Sequence, residues 1–218
     1  MPYDVDNVRI SYFADQSAKA YTAGLDFKVN GEFVKGIDSW ASLSFMRARE
    51  DIRGDYYLVD ADGKRLPYYN HTDAQVFDTV FLGWHNRPSN QLVYFSLFFQ
   101  DYIPYAPTWR VNLTLTFGTG LPIGNGNSEF YSTSSNYPGY KRVDIGFSKQ
   151  LISEASSFSK GNPLRYVKNM FVSVDVFNLF NIPNVIAYNW VKYIDNYYYG
   201  VPNYLTPRYV NLKLVIEF

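Results

Sequence analysis

Two groups of side chains could in principle do chemistry, and their position in the sequence argues against both. The chain has two histidines, His71 and His85, and no cysteine, so disulfides and thiolate metal sites are excluded. Both histidines fall in one long connection, where we expect solvated side chains rather than a metal-binding pair. Ser157 and Lys160 have the S-x-x-K spacing of penicillin-binding enzymes, but they lie in a serine-rich turn without the partner motifs. We therefore predict no catalytic group and no enzyme activity.

A third group has the beginning of a calcium-binding pattern. Asp60 and Asp62 precede Gly63, but the complete loop also requires an acidic residue or Asn at Leu58 and a Glu at Tyr69. Because neither requirement is met, the sequence predicts a turn at Asp62-Gly63 and neither a metal nor a cofactor.

Aromatic side chains are the strongest candidates for binding. They make up 19% of the chain, which has 21 tyrosines, and many fall in the connections 51–89 and 181–205. Such rings can stack on a ligand such as a glycan or a chelate while the Tyr hydroxyls orient it. The alternative is a girdle at the lipid headgroups that also packs the loops. The candidate ligand-binding residues are Tyr56, Tyr57, Tyr68, Tyr69, Trp84, Trp190, Tyr193, Tyr197, Tyr198 and Tyr199.

The elements that would position these rings are strands, because apolar and polar residues alternate along most of the chain. Asn30-Gly31 ends one alternating run and predicts a hairpin turn. Many runs exceed the ~5–6 residues of a typical globular strand and reach the ~9–11 that a tilted membrane strand needs. The predicted strands cover residues 5–13, 17–30, 36–50, 90–102, 107–120, 139–151, 166–180 and 206–218.

The last strand is the most regular of these. One face would carry the apolar residues Val210, Leu212, Leu214, Ile216 and Phe218. The other face is polar except for Val215. A terminal strand that ends on an aromatic residue is typical of outer-membrane barrels, where it would be the signal for the barrel-assembly machinery. The alternative is an ordinary edge or sandwich strand.

The predicted connections differ in length according to the side of the sheet on which they fall. Residues 31–35, 103–106 and 152–165 lie on one side. The side with most of the long connections has residues 14–16, 51–89, 121–138 and 181–205. Short turns on one side and long loops on the other favour a transmembrane barrel over a sandwich. The charged residues expected to face inward are Asp26, Lys28, Arg110, Arg142, Asp144, Asp175, Lys213 and Glu217.

Charge and hydropathy argue against two further classes of protein, those that mainly bind nucleic acid and those with transmembrane helices. Lys and Arg together number 20 and equal the 20 Asp and Glu, which argues against nucleic acid as the main partner. No stretch approaches ~18 consecutive apolar residues, so no transmembrane helix is expected. No leader precedes the first predicted strand, which leads us to expect a fragment, or a protein without its signal.

Five segments of the chain look familiar as an ordered set: residues 20–26, 39–45, 116–122, 140–146 and 175–181. They resemble the C-terminal barrel strands of TonB-dependent outer-membrane receptors, most closely the Bacteroidetes type with a carboxypeptidase-regulatory-like N-terminal domain. The resemblance implies a barrel of about 22 strands that is blocked by a plug. The whole receptor would import a scarce nutrient. It also implies a multi-pass location in the bacterial outer membrane.

Only the last third of that barrel is matched. Residues 1–218 would form one domain, an all-β, antiparallel, up-and-down barrel segment of about eight strands without the plug. Its partners would be outer-membrane lipid, the assembly machinery and the imported ligand. The TonB energy-coupling complex would act only through the missing plug.

Two other interpretations remain open. The chain could be a self-contained eight-stranded outer-membrane barrel with a structural or binding role. It could also be a secreted β domain that binds or cleaves carbohydrate, although the sequence nominates no pair of carboxylates for cleavage.

Overall fold

The fold is described by a computed structural model, which shows an all-β chain; the described residues include a short 3-10 helix, Pro163–Tyr166. The residues that the structure describes are 3–5, 10–12, 17–34, 37–54, 56–64, 66, 75–123, 135–192 and 198–218.

Sixteen strands lie within these residues. In chain order they are β1 (Tyr3–Val5), β2 (Ile10–Tyr12), β3 (Ala18–Val34), β4 (Ile37–Ile52), β5 (Tyr56–Val59), β6 (Asp78–Phe81), β7 (His85–Asn86), β8 (Val93–Ile103), β9 (Ala106–Gly118), β10 (Pro122–Ile123), β11 (Ser135–Asn136), β12 (Tyr140–Ile152), β13 (Asn169–Phe177), β14 (Val185–Lys192), β15 (Tyr198–Tyr204) and β16 (Tyr209–Glu217).

Eight strands form one antiparallel sheet. Its order is β16-β13-β12-β9-β8-β4-β3, and the two-residue β7 extends the sheet beside the end of β4. Within the described residues, β3 and β16 form the two edges of the sheet and do not pair with each other, so the sheet is open. Several strands greatly exceed the usual ~5–6 residues; β3 alone has 17 residues.

The strand alternation divides the sheet into two faces, because residues opposite each other in register share a face. A polar row crosses five strands through Lys28, Ser42, Ser96, Thr116 and Arg142. The neighbouring apolar row on the opposite face runs through Val29, Ala41, Leu97, Leu115 and Val143. These are called the polar face and the apolar face below.

The connections also divide between the two ends of the sheet. Links 35–36, 104–105 and 153–168 lie at one end, here the short-link end. Links 53–92, 119–139 and 178–208 lie at the other, the long-link end. Each long link contains a two-stranded hairpin, β5/β6, β10/β11 or β14/β15. The predicted segregation of links is confirmed, but the hairpins within them were not anticipated.

Two predictions about the first strands are wrong. Residues 5–13 do not form one strand, since β1 and β2 pair with each other. Asn30-Gly31 is not a turn either, because β3 continues through it and Asn30 and Gly31 pair with Trp40 and Ser39. The extended pairing of β3 with β4 adds further ladder contacts beyond this dipeptide, and these outweigh its local turn preference. The other seven predicted strands are confirmed, with ends shifted by up to four residues.

Side-chain amides fasten the start of the third long link. Asn178 has φ 51° and is buried. Its Nδ2 donates to the carbonyl of Ile182, and its Oδ1 accepts from the backbone N–H of the same residue, each at 3.0 Å. Asn184 likewise bonds both backbone groups of Lys141, at 2.8 Å each. These bonds satisfy backbone groups that the ends of β12 and β13 would otherwise leave unpaired.

Candidate functional site

The polar face is the first part of the candidate site. By strand alternation, all eight charged residues predicted to face inward lie on this one face. Asp144 and Arg142 form an ion pair, with Arg142 Nε 2.7 Å from Asp144 Oδ1. Asp144 Oδ1 also accepts the backbone N–H of Asn178 at 2.8 Å. This carboxylate therefore links the polar face to the long-link end.

A glycine on the polar face makes room for the polar side chains on the two neighbouring strands. Gly146 is buried and pairs with Asn112 on one side and Asp175 on the other. A Cβ at Gly146 would overlap the side-chain oxygens of both neighbours. The side chains of Asn112 and Asp175 therefore converge over the glycine, and the row presents amide and carboxylate groups to anything that occupies this face.

Cations on the polar face lie over aromatic rings. The guanidinium of Arg110 is 5.1 Å from the ring centroid of Tyr102, and that of Arg142 is 5.4 Å from the centroid of Phe177. Such contacts hold long charged side chains against the sheet. The chemistry of this face suits a polar occupant or an aqueous lumen.

A buried charged group lies at the long-link end of β4. Glu50 is 2% exposed, and its Oε2 lies 3.2 Å from Nε of Arg87. Its Oε1 lies 3.6 Å from Nε2 of His85, which is 8% exposed. The prediction of solvated loop histidines is therefore wrong for His85, whereas His71 lies outside the described residues. Sequence reasoning missed Glu50 and Arg87 because their pairing depends on β7 folding back onto β4.

This charged group has a structural role that the contacts make clear. The backbone N–H of Arg87 donates to the carbonyl of Ala48, and Oδ1 of Asn90 accepts the N–H of Ala48 at 2.7 Å. The segment from His85 to Asn90 is therefore fastened to the end of β4 by backbone, amide and ionic contacts. This fastening fixes the end of the first long link.

The second and third long links meet through aromatic rings. Tyr137, which follows β11, stacks on Tyr188 of β14 with ring centroids 5.6 Å apart and an interplanar angle of 5°. The ring centroid of Tyr188 in turn lies 6.0 Å from that of Trp190. Gly200, which pairs with Trp190, lets both of these rings lie against β15. The aromatic cluster of Tyr137, Tyr188 and Trp190 is the best ring surface that the described long links offer to a ligand.

The environment of this cluster is partly desolvated. Burial raises the pKa of the Tyr137 hydroxyl above its ordinary value, and a hydrogen bond with the backbone of Tyr188 offsets part of that rise. The phenol therefore stays neutral at physiological pH and acts as a hydrogen-bonding group rather than an acid.

The other predicted ring residues do not gather into one site. The rings of Tyr56 and Phe81 contact each other across the β5/β6 hairpin. The ring of Trp84 contacts that of Tyr21 on β3, with centroids 5.4 Å apart. Tyr57 pairs with Val80, and the exposed Tyr199 pairs with Val191. Tyr68, Tyr69, Tyr193 and Tyr197 lie outside the described residues, as does the side chain of Tyr198. Of the predicted residues whose side chains the structure describes, only Trp190 joins the aromatic cluster.

The terminal strand β16 exposes the apolar row that the sequence predicted. Leu212 is 72% exposed and Phe218 is 75% exposed, although neither is polar. Lys168 holds the chain end by donating from Nζ to the carbonyl of Phe218 at 2.7 Å. Packing within the described chain therefore gives these apolar side chains little cover.

Comparison with known proteins adds no relative, because no protein-family model, curated protein or solved structure matches the chain. The described residues contain no cluster of three or more His, Asp or Glu side chains that could hold a metal ion. In the same part of the chain, no helix is long and apolar enough to cross a membrane. The turn predicted at Asp62-Gly63 is confirmed, with Asp60 Oδ1 accepting the N–H groups of Asp62 and Lys64.

Proposed function

We propose that this chain is the C-terminal barrel segment of a TonB-dependent outer-membrane receptor, and that its long-link end faces the cell exterior and contributes to binding of an imported nutrient. The observation that carries the proposal is the sheet with one apolar and one polar face, whose edge strands β3 and β16 have no partner on their outer side within the described residues. The sequence resemblance suggests the family. The two faces and the edges of the sheet give the physical reasons to expect a lipid environment and a larger barrel.

The exposed apolar face supports a lipid environment. Leu25, Phe27 and Val29 of β3 are each more than half exposed, and Leu212, Leu214 and Phe218 are equally open at the opposite edge. Contiguous apolar surface on this scale is rare on a monomer in water. It is the expected outer surface of a membrane barrel whose strands alternate between lipid and lumen.

Strand direction supports a larger barrel over self-closure. Every pairing along the path from β16 to β3 is antiparallel. With seven strands on that path, β3 and β16 run in the same direction and cannot close by an antiparallel ladder. Closure of an all-antiparallel barrel requires an odd number of additional strands between them. An edge left open in lipid would cost several kcal/mol for each unpaired backbone group.

The long-link end is the side proposed to meet the ligand. The aromatic cluster offers stacking surface there, and the Glu50 group and the Asn178 and Asn184 bonds hold the ends of the links in place. Ligand groups with CH faces or aromatic rings fit this chemistry. The polar face would line the lumen against the plug.

A pair of neighbouring substitutions on β16 tests the membrane location. Leu212→Lys places a charge on the apolar face, and Asn211→Lys places it on the polar face of the same strand. In lipid, Leu212→Lys is expected to cost about 2–4 kcal/mol and to lower the amount of assembled parent protein, whereas Asn211→Lys has little effect. Since Leu212 is already largely exposed, equal and small effects of the two substitutions would indicate an aqueous surface and contradict the proposal.

The size of the native protein separates the alternatives. An antibody raised against the recombinant chain is used to probe outer-membrane and soluble fractions of the source cell. A membrane band well above 25.2 kDa supports a receptor tail. A membrane band near that mass, which migrates faster when unheated, would support a self-contained barrel with an added strand, and a soluble band would support a secreted β domain.

A further inference from the structure

We propose that His85 and Glu50 form a pH-dependent clamp on the first long link, tight when the imidazole ring is protonated and loose when the ring is neutral. The clamp joins β7 to the end of β4. Only residues 82–84 separate β7 from the β5/β6 hairpin, so the clamp decides how firmly that hairpin is attached to the sheet. The contact lies within the chain, and the inference does not depend on the proposed membrane function.

Both ring nitrogens of His85 face hydrogen-bond acceptors. Nδ1 lies 3.1 Å from the carbonyl oxygen of Gly83, and Nε2 lies 3.6 Å from Oε1 of Glu50. A neutral imidazole has one N–H and can donate toward only one of these oxygens, whereas the imidazolium can donate toward both. Protonation therefore adds a donor and a positive charge beside the carboxylate.

Burial makes the difference between the two protonation states matter. His85 is 8% exposed and Glu50 is 2% exposed, so water cannot readily replace a lost contact. In one neutral tautomer the lone pair of Nε2 faces the Glu50 carboxylate, and in the other the lone pair of Nδ1 faces the Gly83 carbonyl. Each neutral tautomer thus leaves two acceptors facing each other without a proton between them. The contact should weaken when the ring loses its proton.

Arg87 confines this weakening to the link. Its Nε lies 3.2 Å from Oε2 of Glu50, and a guanidinium stays charged throughout the physiological pH range. The buried carboxylate therefore keeps one cationic partner when His85 is neutral, and the sheet has no reason to unfold. What loosens is the segment from His85 to Asn90, which is fastened to the end of β4.

Few charged groups surround the ring within the described residues. Glu50 faces it from β4, and Arg87 belongs to its own segment. Arg49 lies on the opposite face of β4, where its guanidinium donates to the carbonyl of Trp84. Histidine is the side chain that ordinarily changes charge between about pH 5 and 8, so the response is assigned to His85. The strand on the other side of β4, β3, has uncharged residues on the Glu50 face: Ala18, Ala20 and Thr22.

A buried cysteine can report whether the clamped segment is closed. The chain has no cysteine of its own, and Ala48 is 1% exposed with its N–H bonded to Asn90 of the segment. A thiol introduced by Ala48→Cys should therefore react with a maleimide only when the segment opens. Ser89→Cys, at an exposed position of the same segment, is the matched control, because it corrects for the pH dependence of the thiol itself.

Both substitutions are made in the full-length native protein, in the cell fraction that holds it, so no isolated chain has to refold. Labelling of each cysteine-containing peptide is measured by mass spectrometry between about pH 5 and 8. Hydrogen exchange of the peptide that covers residues 85–90, corrected for the intrinsic effect of pH, is a second measurement that needs no substitution.

The clamp predicts that labelling at Ala48→Cys, divided by labelling at Ser89→Cys, rises about threefold to tenfold across this pH range. His85→Gln should abolish the rise, because glutamine takes up no proton. His71→Gln, which replaces the other histidine of the chain, should preserve it. A ratio that stays flat with His85 present, or a rise that survives His85→Gln, would overturn the clamp.

Glu50→Gln tests the partner of the ring. Without the carboxylate, an imidazolium would lie in the same group as Arg87 with no counter-charge, so the rise should vanish or reverse. A rise that persists in Glu50→Gln would overturn the assignment of Glu50 as the partner. Because every comparison is made in the fraction where the native protein is found, failure of the clamp would leave the proposed membrane function untouched.

Discussion

His85 Nε2 lies 3.6 Å from Oε1 of Glu50, and both side chains are almost completely buried. The contact joins β7 to the end of β4, where the first long link leaves the large sheet. A carboxylate buried this deeply requires cationic partners, which His85, when protonated, and Arg87 supply.

Glu50→Gln is expected to loosen this link without disturbing the rest of the sheet. The substitution keeps the shape of the side chain but leaves Arg87 without its counter-charge. We expect the free energy of unfolding to fall by about 2–3 kcal/mol, below the ~3–5 kcal/mol of a fully buried pair, because the Arg87 side chain is 34% exposed. Urea unfolding measures the loss, and trypsin cleavage within residues 53–92 should accelerate. Glu154→Gln, on an exposed turn, is the control. Equal cleavage rates would contradict this role.

Asn178→Ala is expected to destabilise the start of the third long link. It removes two hydrogen bonds to Ile182 and places a residue with a Cβ but no polar group at φ 51°. Together these effects should cost about 2–4 kcal/mol in the free energy of unfolding. Asn178→Gly restores the backbone tolerance but not the bonds, so its midpoint should fall between wild type and Asn178→Ala. A change below about 0.5 kcal/mol for the alanine variant would show that the bonds are dispensable.

Two glycine substitutions with the same chemistry should have opposite effects. A Cβ at Gly120 would overlap the backbone carbonyl of Tyr137, which has little freedom to move. Gly120→Ala should therefore lower stability by about 2–3 kcal/mol and separate Tyr137 from Tyr188. Gly31 has open space around its Cβ position, so Gly31→Ala should be neutral or stabilising by up to about 1 kcal/mol. Thermal unfolding of the two variants compares them directly. A stable Gly120→Ala variant would argue against the close approach of these backbone segments.

The Tyr137 hydroxyl predicts a dependence of stability on alkaline pH. Its pKa is raised in the folded chain above the ordinary value of 10.0. Since the folded state holds this proton more tightly than the unfolded state, the stabilisation is complete below about pH 10 and is lost as the pH rises through the folded pKa. Tyr137→Phe should flatten that decline, because it has no hydroxyl to ionise. The measurement is the denaturant midpoint from pH 8 upward. Parallel curves for wild type and Tyr137→Phe would refute the prediction, and Tyr105→Phe is the exposed control.

Phe218→Ala is expected to separate stability from assembly. The ring is 75% exposed, so its removal should change the unfolding free energy of the isolated chain by less than about 0.5 kcal/mol. In the full-length parent, however, the amount of assembled outer-membrane protein should fall, because Phe218 is proposed to be part of the assembly signal. Phe218→Tyr keeps an aromatic ring and should preserve assembly. Normal assembly of the alanine variant would remove this role from Phe218.

The amino-acid sequence alone was sufficient to predict the long strands, the two faces of the sheet and the difference between its short-link and long-link ends. Alternation is a local property, so seven of the eight predicted strands appear, and the charges from Asp26 to Glu217 share one face. The apolar row of β16 follows from the same period of two.

Only the tertiary structure decided which contacts join distant segments. It carried β3 through Asn30-Gly31, folded each long link into a hairpin and buried His85 against Glu50. It also brought Tyr137 onto Tyr188 and put an odd number of strands between the two open edges. These outcomes depend on competition between alternative registers and on contacts far apart in the chain. The outcome of that competition cannot be predicted from a local pattern of residues, whereas strand periodicity can be recognised within any short segment.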